Sequence, residues 1–470
     1  MIHRLVGLLI TLASVSLCGS AQERAEIFDD TSFVNLVLSH HPVAKQASLQ
    51  LRRGAYQLQY ARGSFDPKVS ASLLQKDFKD TRYYSIGNAQ LKVPLWVGDI
   101  KMGLDQNNGD YLNPELSVPN SGLWYTGISI PVGRGMFIDE RRASLKQAKL
   151  IRDAIDSERL LMLNDLIRNS LDQYWNWVKS WNEFYVYREY VDLASLRYRA
   201  VKASYELGDK PAIDTLEAYI QVQNRTMLRD QALLAYQKER LALSNYLWAE
   251  GIIPLELTDS VLPPRLVDLE DKPLDSQQEV EAMITGIDTL HPKLVLLRNK
   301  ILQTEVKQRL AKEWLKPDLS IQYNVLTQPV DNNVLAGASL ENYKWGVQFE
   351  MPVFLRKERA KVKLTDVMMN EQGLTYDQVR LQQTNKVRAF YASEENLIGQ
   401  VVLYRDAVQN YSRLLAGERQ KFDTGESSLF LINSRENQLI QARLKLIELQ
   451  TKYIMAEIGL HWASGTLVTN

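Results

Sequence analysis

Residues Asp139–Leu207 read DERRASLKQAKLIRDAIDSERLLMLNDLIRNSLDQYWNWVKSWNEFYVYREYVDLASLRYRAVKASYEL, 69 residues without a glycine or proline. An average globular helix is about 11–12 residues long. Read as one helix, this stretch extends roughly 100 Å at 1.5 Å per residue. Leu160, Leu163, Ile167, Tyr174, Trp177, Trp181, Phe184 and Val191 fall on heptad spacing within it, interrupted by Ser170 and Arg188. Such a row forms a seam against neighbouring helices. Leu355–Thr424, 70 residues, is also free of proline but carries Gly373, Gly399 and Gly417. Two rods of that length do not fit inside a compact globule of 470 residues. The chain builds something elongated.

The N-terminus prepares it for export. Arg4 is the only full charge in residues 1–21, followed by the apolar run Leu5–Leu17 and then small residues. Gly19 and Ala21 suit the −3 and −1 positions of a secretory cleavage site, so the mature chain is expected to begin at Gln22. The apolar run is too short for a spanning helix. Lipidation at Cys18 is the competing reading, disfavoured by the bulky Leu17 before it. Cys18 is the only cysteine, which excludes an internal disulfide or a thiol metal site from the mature chain. The 56 Lys and Arg balance the 56 Asp and Glu, and loss of Arg4 leaves a net charge of −1. A chain so near neutrality has no general attraction to nucleic acid.

The sequence repeats itself. His41-Pro42 and His291-Pro292 lie 250 residues apart, and each leads over 25 residues to a second proline, Pro67 or Pro317. Ala61 matches Ala311 and Ser70 matches Ser320 at the same offset. A short apolar helix (Phe33–Leu38; Met283–Ile287) precedes each His-Pro. Proline disfavours α conformation in the residue before it and is tolerated in a helix's first turn, so each His-Pro ends one helix and opens another.

Beyond the second proline the period switches to two. Leu319, Ile321, Tyr323 and Val325 alternate with polar residues, as do Tyr343, Trp345, Val347, Phe349, Met351 and Val353. Val69–Leu73 and Trp124–Val132 answer them in the first copy. These are amphipathic strands. They suit either a half-buried sheet on a soluble core or a lipid-facing barrel with a polar lumen. The first copy has 29 more residues between its strands, and the alternation Ala89, Leu91, Val93, Leu95 makes an additional hairpin plausible within 83–120.

Each rod ends at a matching turn, Tyr205-Glu-Leu-Gly208 and Phe422-Asp-Thr-Gly425, where glycine permits reversal through positive φ. A return helix follows each. Ile213, Ile220, Met227, Leu234, Leu241 and Trp248 recur at intervals of seven in the first, and Ile432, Leu439, Leu446, Tyr453 and Leu460 in the second. A strict seven-residue repeat imposes a left-handed supercoil. Between the halves, Gly251–Gln278 is rich in proline and acidic residues and reads as a connector with little regular structure.

The expected layout is a signal peptide (1–21), a first repeat (22–250), the connector (251–278) and a second repeat (279–470). The first repeat has strands at about 68–76 and 122–133, a long helix at 139–207 and a return helix at 211–249. The second has strands at about 318–327 and 343–353, a long helix at 355–424 and a return helix at 427–463. Short helix, helix, strand, strand, very long helix, glycine turn and return helix, given twice behind a secretory signal, resembles the TolC family of outer-membrane efflux channels. His-Pro, where that family often has Asn-Pro, and the aromatic-x-x-Gly turns are the most specific local marks.

The resemblance implies a mainly α fold with a small β-barrel portion. Three copies would form one 12-stranded outer-membrane barrel, four strands from each, above a trimeric α-barrel tube in the periplasm. It also implies a passive exit duct of a tripartite efflux or type I secretion system, working with a periplasmic adaptor protein and an inner-membrane pump of RND or ABC type, in contact with outer-membrane lipid. The turns become the periplasmic tips, with Tyr205, Gly208, Asp214, Phe422, Gly425, Leu431 and Ser434 as candidates for gating or adaptor contact. Asp214 matches a carboxylate that helps tie family tips shut. Phe422 lacks the hydroxyl of the usual tyrosine partner, Ser427 stands where a gate arginine is found, and Leu431 and Ser434 stand where entrance aspartates occur. Asp423, Glu426, Glu206 and Asp209 are the carboxylates available to replace that charge.

No phosphate loop, zinc spacing or nucleophile elbow is present, so no enzyme, cofactor or metal is expected. The His40-His41 pair reads as structural, and Glu394-Glu395 as helix-surface ion pairing. The competing function is a secreted or periplasmic coiled-coil scaffold or adhesin, which leaves the duplicated amphipathic strands without a role.

Overall fold

A computed structural model describes residues 26–266, 275–328 and 339–468. The expected signal peptide, its cleavage site and Cys18 lie outside the described residues, as does part of the connector. The fold is mainly helical, with a six-stranded antiparallel sheet at one end. Helices α1 (Asp30–His40) and α2 (Pro42–Arg62) lead to strands β2 (Lys68–Phe78), β3 (Thr81–Pro94), β4 (Asp99–Asn108) and β5 (Leu123–Pro131). Then come the long helix α3 (Glu140–Glu206) and its return α4 (Ala212–Ser244). The second half repeats the plan with α5 (Gln277–Leu290), α6 (Pro292–Glu313), β9 (Asp318–Thr327), β10 (Tyr343–Glu350), α7 (Arg356–Asp423) and α8 (Leu429–Ser464).

Small two-residue strands surround the middle. β1 (Glu26–Ile27) pairs in parallel with β8 (Val261–Leu262), and β6 (Trp248–Ala249) pairs with β7 (Ile253–Pro254). The first return helix therefore stops at Ser244, short of the expected 249, and Trp248 belongs to β6. The expected connector contains β7, β8 and the start of α5.

Both His-Pro steps break the chain between helices, and the imidazole itself caps the second one. Nδ1 of His41 accepts from the Val43 amide at 3.1 Å, and Nδ1 of His291 from the Lys293 amide at 3.2 Å. Burial holds the His291 ring at a pKa of about 4, with Lys293 and Lys386 adding to the fall and Asp165 opposing it. The folded ring is thus neutral, whereas the unfolded chain binds a proton near pH 6.5. This contribution is full above pH 6.5 and is lost as pH falls toward 4, on the order of 3 kcal/mol per chain. Asn also caps helices well. His291→Asn is therefore expected to keep its thermal midpoint better than the natural chain between pH 6.5 and 4; equal losses in both would exclude His291 as an acid-sensitive group.

The core lies around the middle of α3. Phe33, Tyr174, Trp177, Leu243, Leu247, Leu266 and Ile440 are fully buried there, and the Tyr174 hydroxyl donates to the Phe28 carbonyl at 2.7 Å. Of the expected seam, Leu163, Ile167, Tyr174, Trp177, Trp181 and Val191 are buried, while Leu160 and Phe184 are half-buried. The second return helix buries Ile432, Leu439, Tyr453 and Leu460. The first does the opposite. Ile213 is 66 % exposed, and Ile220, Met227, Leu234 and Leu241 are also exposed. A different row, Ala218, Arg225, Tyr236 and Leu243, carries the buried side chains of α4. The Ile213–Leu241 part of the α4 heptad is therefore left uncovered by the described residues.

The sheet has six strands in the order β10-β9-β5-β4-β3-β2, every neighbour antiparallel. It is open, with β2 and β10 at its edges. Register gives each face its character. One cross-strand row runs Val69, Leu91, Met102, Thr126, Val325, Tyr343. The next on the same face runs Val93, Ile100, Ile128, Tyr323, Trp345. The opposite face carries Lys68, Lys92, Lys101, Gly127, Asn324 and Lys344 in one row. In these rows one face is apolar apart from Thr126, and the other carries lysines and an asparagine.

Candidate functional site at the two helical turns

Both turns are built alike. Gly208 has φ +85° and Gly425 φ +81°. At the first, the Gly208 amide donates to the Tyr205 carbonyl and the Asp209 amide to that of Ser204, both at 2.9 Å. At the second, Gly425 donates to Phe422 at 3.1 Å and Glu426 to Lys421 at 2.8 Å. This pair of bonds is the Schellman motif, which satisfies the last carbonyls of a helix and requires a left-handed residue. Nothing lies within 4 Å of a Cβ added at either glycine, so any cost of substitution there is backbone strain alone. Ser428 caps α8 through the Leu431 amide, whereas Pro211 opens α4 without a side-chain cap. Asp214 lies in the first turn of α4, where a carboxylate complements the helix dipole.

The turns meet through a small cluster in which Val201, Ala218 and Leu429 are buried, with Tyr198 and Phe422 packed against them. The Lys210 ammonium lies 4.5 Å from the centre of the Phe422 ring. This cation–π contact joins the first turn to the second at the residue that lacks the expected hydroxyl. Asp214 makes no side-chain hydrogen bond or ion pair among the described residues. Ser427, standing where a gate arginine was expected, donates to Glu418, which Arg435 also approaches at 3.6 Å. Tyr205 and Leu431 are exposed and Ser434 is half-buried. The structure thus gathers Phe422 and Lys210 at the turns without bringing Asp214 to a partner.

A cluster that the sequence reading missed lies deeper. Glu436 of α8 is fully buried and is bonded by Arg197 of α3, with Arg197 Nη1 3.1 Å from its Oε2. Arg419 of α7 donates to Oε1 at 2.9 Å, and Arg225 of α4 stands 3.7 Å from Oε2. Asn433 accepts from Arg197 and donates to Glu217, and Asn437 accepts from Arg225. Burial pushes the Glu436 carboxyl up, but Arg197, then Arg419 and Arg225, outweigh it and hold the pKa below the usual value. Arg197 and Glu436 each lie eleven residues from the glycine of their own turn, roughly 16 Å along the helix. One carboxylate therefore pins four helices at one height above the turns.

Glu394 departs from its expected surface role. Its side chain is buried, and burial, then the carboxylates of Asp275 and Glu457, raise its pKa to about 7. Glu395 beside it is exposed. The His40-His41 pair is divided in role, since His41 serves as the cap of α2. Among the described residues no helix is long and apolar enough to cross a membrane.

Comparison with known proteins places this geometry. The family model described as outer membrane efflux protein matches residues 292–466. No curated protein matches by sequence. The fold is similar to the Campylobacter jejuni CmeC outer membrane channel, at 14% identity and a TM-score of 0.66, over 98% of this chain and 94% of that one. It is similar to the open state of the Neisseria gonorrhoeae MtrE outer membrane channel, at 13% identity and 0.66, over 93% and 89%. The outer membrane protein VceC of Vibrio cholerae matches at 13% identity and 0.64, over 93% and 96%. The likeness to TolC-type outer-membrane efflux proteins, expected from the duplicated order of elements, is borne out.

Proposed function

We propose that this chain is one third of an outer-membrane exit duct, a passive channel that carries cargo from an inner-membrane pump across the periplasm and outer membrane. It acts as a conduit and not as an enzyme. Its two repeats, about 22–250 and 279–470, each supply part of the wall. The observation that carries the reading is that the chain ends in complementary unfinished edges at every level. In the sheet the edges are β2 and β10. Below the sheet α3 packs on α2 and α6, and α6 on α7, so α2 and α7 stand at the edges. Toward the turns α3 packs on α4 and α8, and α8 on α7, so α4 and α7 stand there.

Those helices carry exposed apolar side chains. Leu49, Tyr56 and Tyr60 are exposed on α2, the heptad of α4 is exposed, and so are Leu364, Leu374, Leu381, Val402 and Leu403 on α7. Copies arranged in a ring set the first repeat of one chain against the second repeat of the next at all three levels. Closure removes the sheet edges, which a hydrocarbon environment does not tolerate. The apolar sheet face then meets lipid and the polar face lines the bore. A secreted scaffold has no use for that face.

Within this reading the turns are the periplasmic tips, and Tyr205, Gly208, Asp214, Phe422, Gly425, Leu431 and Ser434 form the region that meets an adaptor and gates the tube. The purified protein in planar lipid bilayers is expected to give discrete ion-conducting steps; a detergent-free soluble protein that leaves bilayers silent would support the scaffold instead. Gly425→Val forces a β-branched residue into positive φ, at about 1–3 kcal/mol. The strain is local, because the sheet lies at the far end of α7. This variant is expected to reach the membrane as a folded assembly and to lose export, measured as cargo retained in cells. Normal export would remove the second turn from the docking and gating region.

A further inference from the structure

We infer that the barrel built by this chain has eighteen strands, not the twelve implied by its resemblance to the TolC family, and that the β3–β4 hairpin is a full part of the membrane wall. The inference rests on the three-copy channel reading and adds the number of strands and the interface that closes them.

The hairpin stands between β2 and β5 and pairs with both, over eleven positions with β2 and seven with β5. At 14 and 10 residues, β3 and β4 reach the 9–11 residues that a tilted strand needs to cross the hydrocarbon. Leu91, Val93, Ile100 and Met102 continue the apolar face without a break. A hairpin standing off the wall in water would leave that face uncovered; one in the wall turns it to lipid. The polar face is bonded through as well. The Asn88 amide of β3 donates to Asp105 of β4 at 2.6 Å and to the Tyr125 hydroxyl of β5 at 3.3 Å. Gly103 lies opposite Tyr125, and a Cβ there would come within 2.5 Å of the ring.

The base of the hairpin is fixed to the helices. Asp99 accepts from Arg141 of α3 at 2.8 Å and pairs with Lys92 at 3.0 Å. The Trp96 ring stacks on Phe65 at 6.1 Å, beside the end of α2. Yet no helix enters β3 or β4. The helices that join the sheet do so at β2, β5, β9 and β10, and α2 packs directly on α3 although their strands are separated by the hairpin. Three strand spacings span about 14 Å, against 8–10 Å between packed helices. At this step the sheet is therefore wider than the helix pair beneath it.

The partner for each edge is a second copy. β2 leaves the helical end and β10 returns to it, so β10 of one chain meets β2 of the next antiparallel, as an even number of strands per copy requires. Three copies of six strands close at eighteen. Barrel diameter grows nearly linearly with strand number, so the bore is about one and a half times that of a twelve-stranded barrel.

Electron cryomicroscopy of the full-length assembly in lipid nanodiscs tests this. The expected image is an eighteen-stranded ring with β3 and β4 in the wall. A twelve-stranded ring, with β2 paired to β5 and the hairpin outside, overturns the inference and leaves the channel reading intact; absence of any ring overturns both. A second measurement uses Lys101→Cys and Met102→Cys, labelled in the nanodisc with a water-soluble maleimide. Lys101→Cys, in the lumen, is expected to react and Met102→Cys, in lipid, to be protected. Equal labelling of both would overturn the placement of the hairpin.

Discussion

Glu436→Ala is expected to destabilise the turn end of the tube by about 3–5 kcal/mol per chain, the scale for removing one partner of a buried ion pair. The carboxylate holds three guanidinium groups, and the substitution strands them unequally. Arg419 is partly exposed and can turn outward, whereas Arg225 is 3 % exposed and Arg197 only 15 %. The penalty therefore falls on the last two, which hold α3 and α4 against α8. Glu436→Gln keeps the shape but not the charge, so it recovers part of the loss at most. Because the folded carboxyl has a depressed pKa, its contribution is full above the unfolded value near 4.5 and disappears as pH falls through the folded value. The difference between natural and variant chains is thus expected to shrink in acid. Denaturant unfolding in detergent measures it, with single-channel conductance as a second readout, expected to rise as the helices are released. A change below about 1 kcal/mol, the scale of exposed pairs, would mean that the cluster clamps nothing.

Val347→Arg is the second large effect. Val347 is the fifth of the eight residues of β10, opposite Ile321 on the apolar face, and is 54 % exposed in a single chain. If the face meets lipid, an arginine near the midplane costs about 2–4 kcal/mol, repeated in every copy of the ring. Gln348, the next residue, pairs with Ser320 on the polar face, where Gln348→Arg meets water. The expected outcome is loss of assembled protein for Val347→Arg and a near-normal yield for Gln348→Arg, read from outer-membrane fractions. Equal yields would contradict the orientation of the sheet.

What could be read from sequence follows from where each signal resides. The ends of α3 are local: the Asp139 carboxylate caps it through the Arg142 amide at 2.8 Å, and the Gly208 and Asp209 amides close it with one backbone bond each. The His-Pro steps are local too, although nothing in the spacing announces the imidazole as the cap. Strand pairing is only half local. The alternation from Ala89 to Leu95 indicates a hairpin, but the strands on either side of it are chosen by register, and so four expected strands became six. The α4 heptad shows how a pattern can be legible while its partner is not. Ile213, Ile220, Met227, Leu234 and Leu241 announce a seam that no element among the described residues covers. The Glu436 cluster left no trace in periodicity, since its arginines come from three other helices, and Arg197 is 239 positions away. Asp214 is the converse: resemblance suggested a tie, and its carboxylate finds no partner among the described residues.

The central claim is that one chain is an incomplete wall, finished only by other copies of itself. Light scattering on the purified mature protein in mild detergent, corrected for bound detergent, tests it most directly. The account predicts a complex of three chains, broken by Leu234→Asp in the uncovered seam of α4. A stable monomer that stays soluble without detergent, unchanged by that substitution, would contradict it.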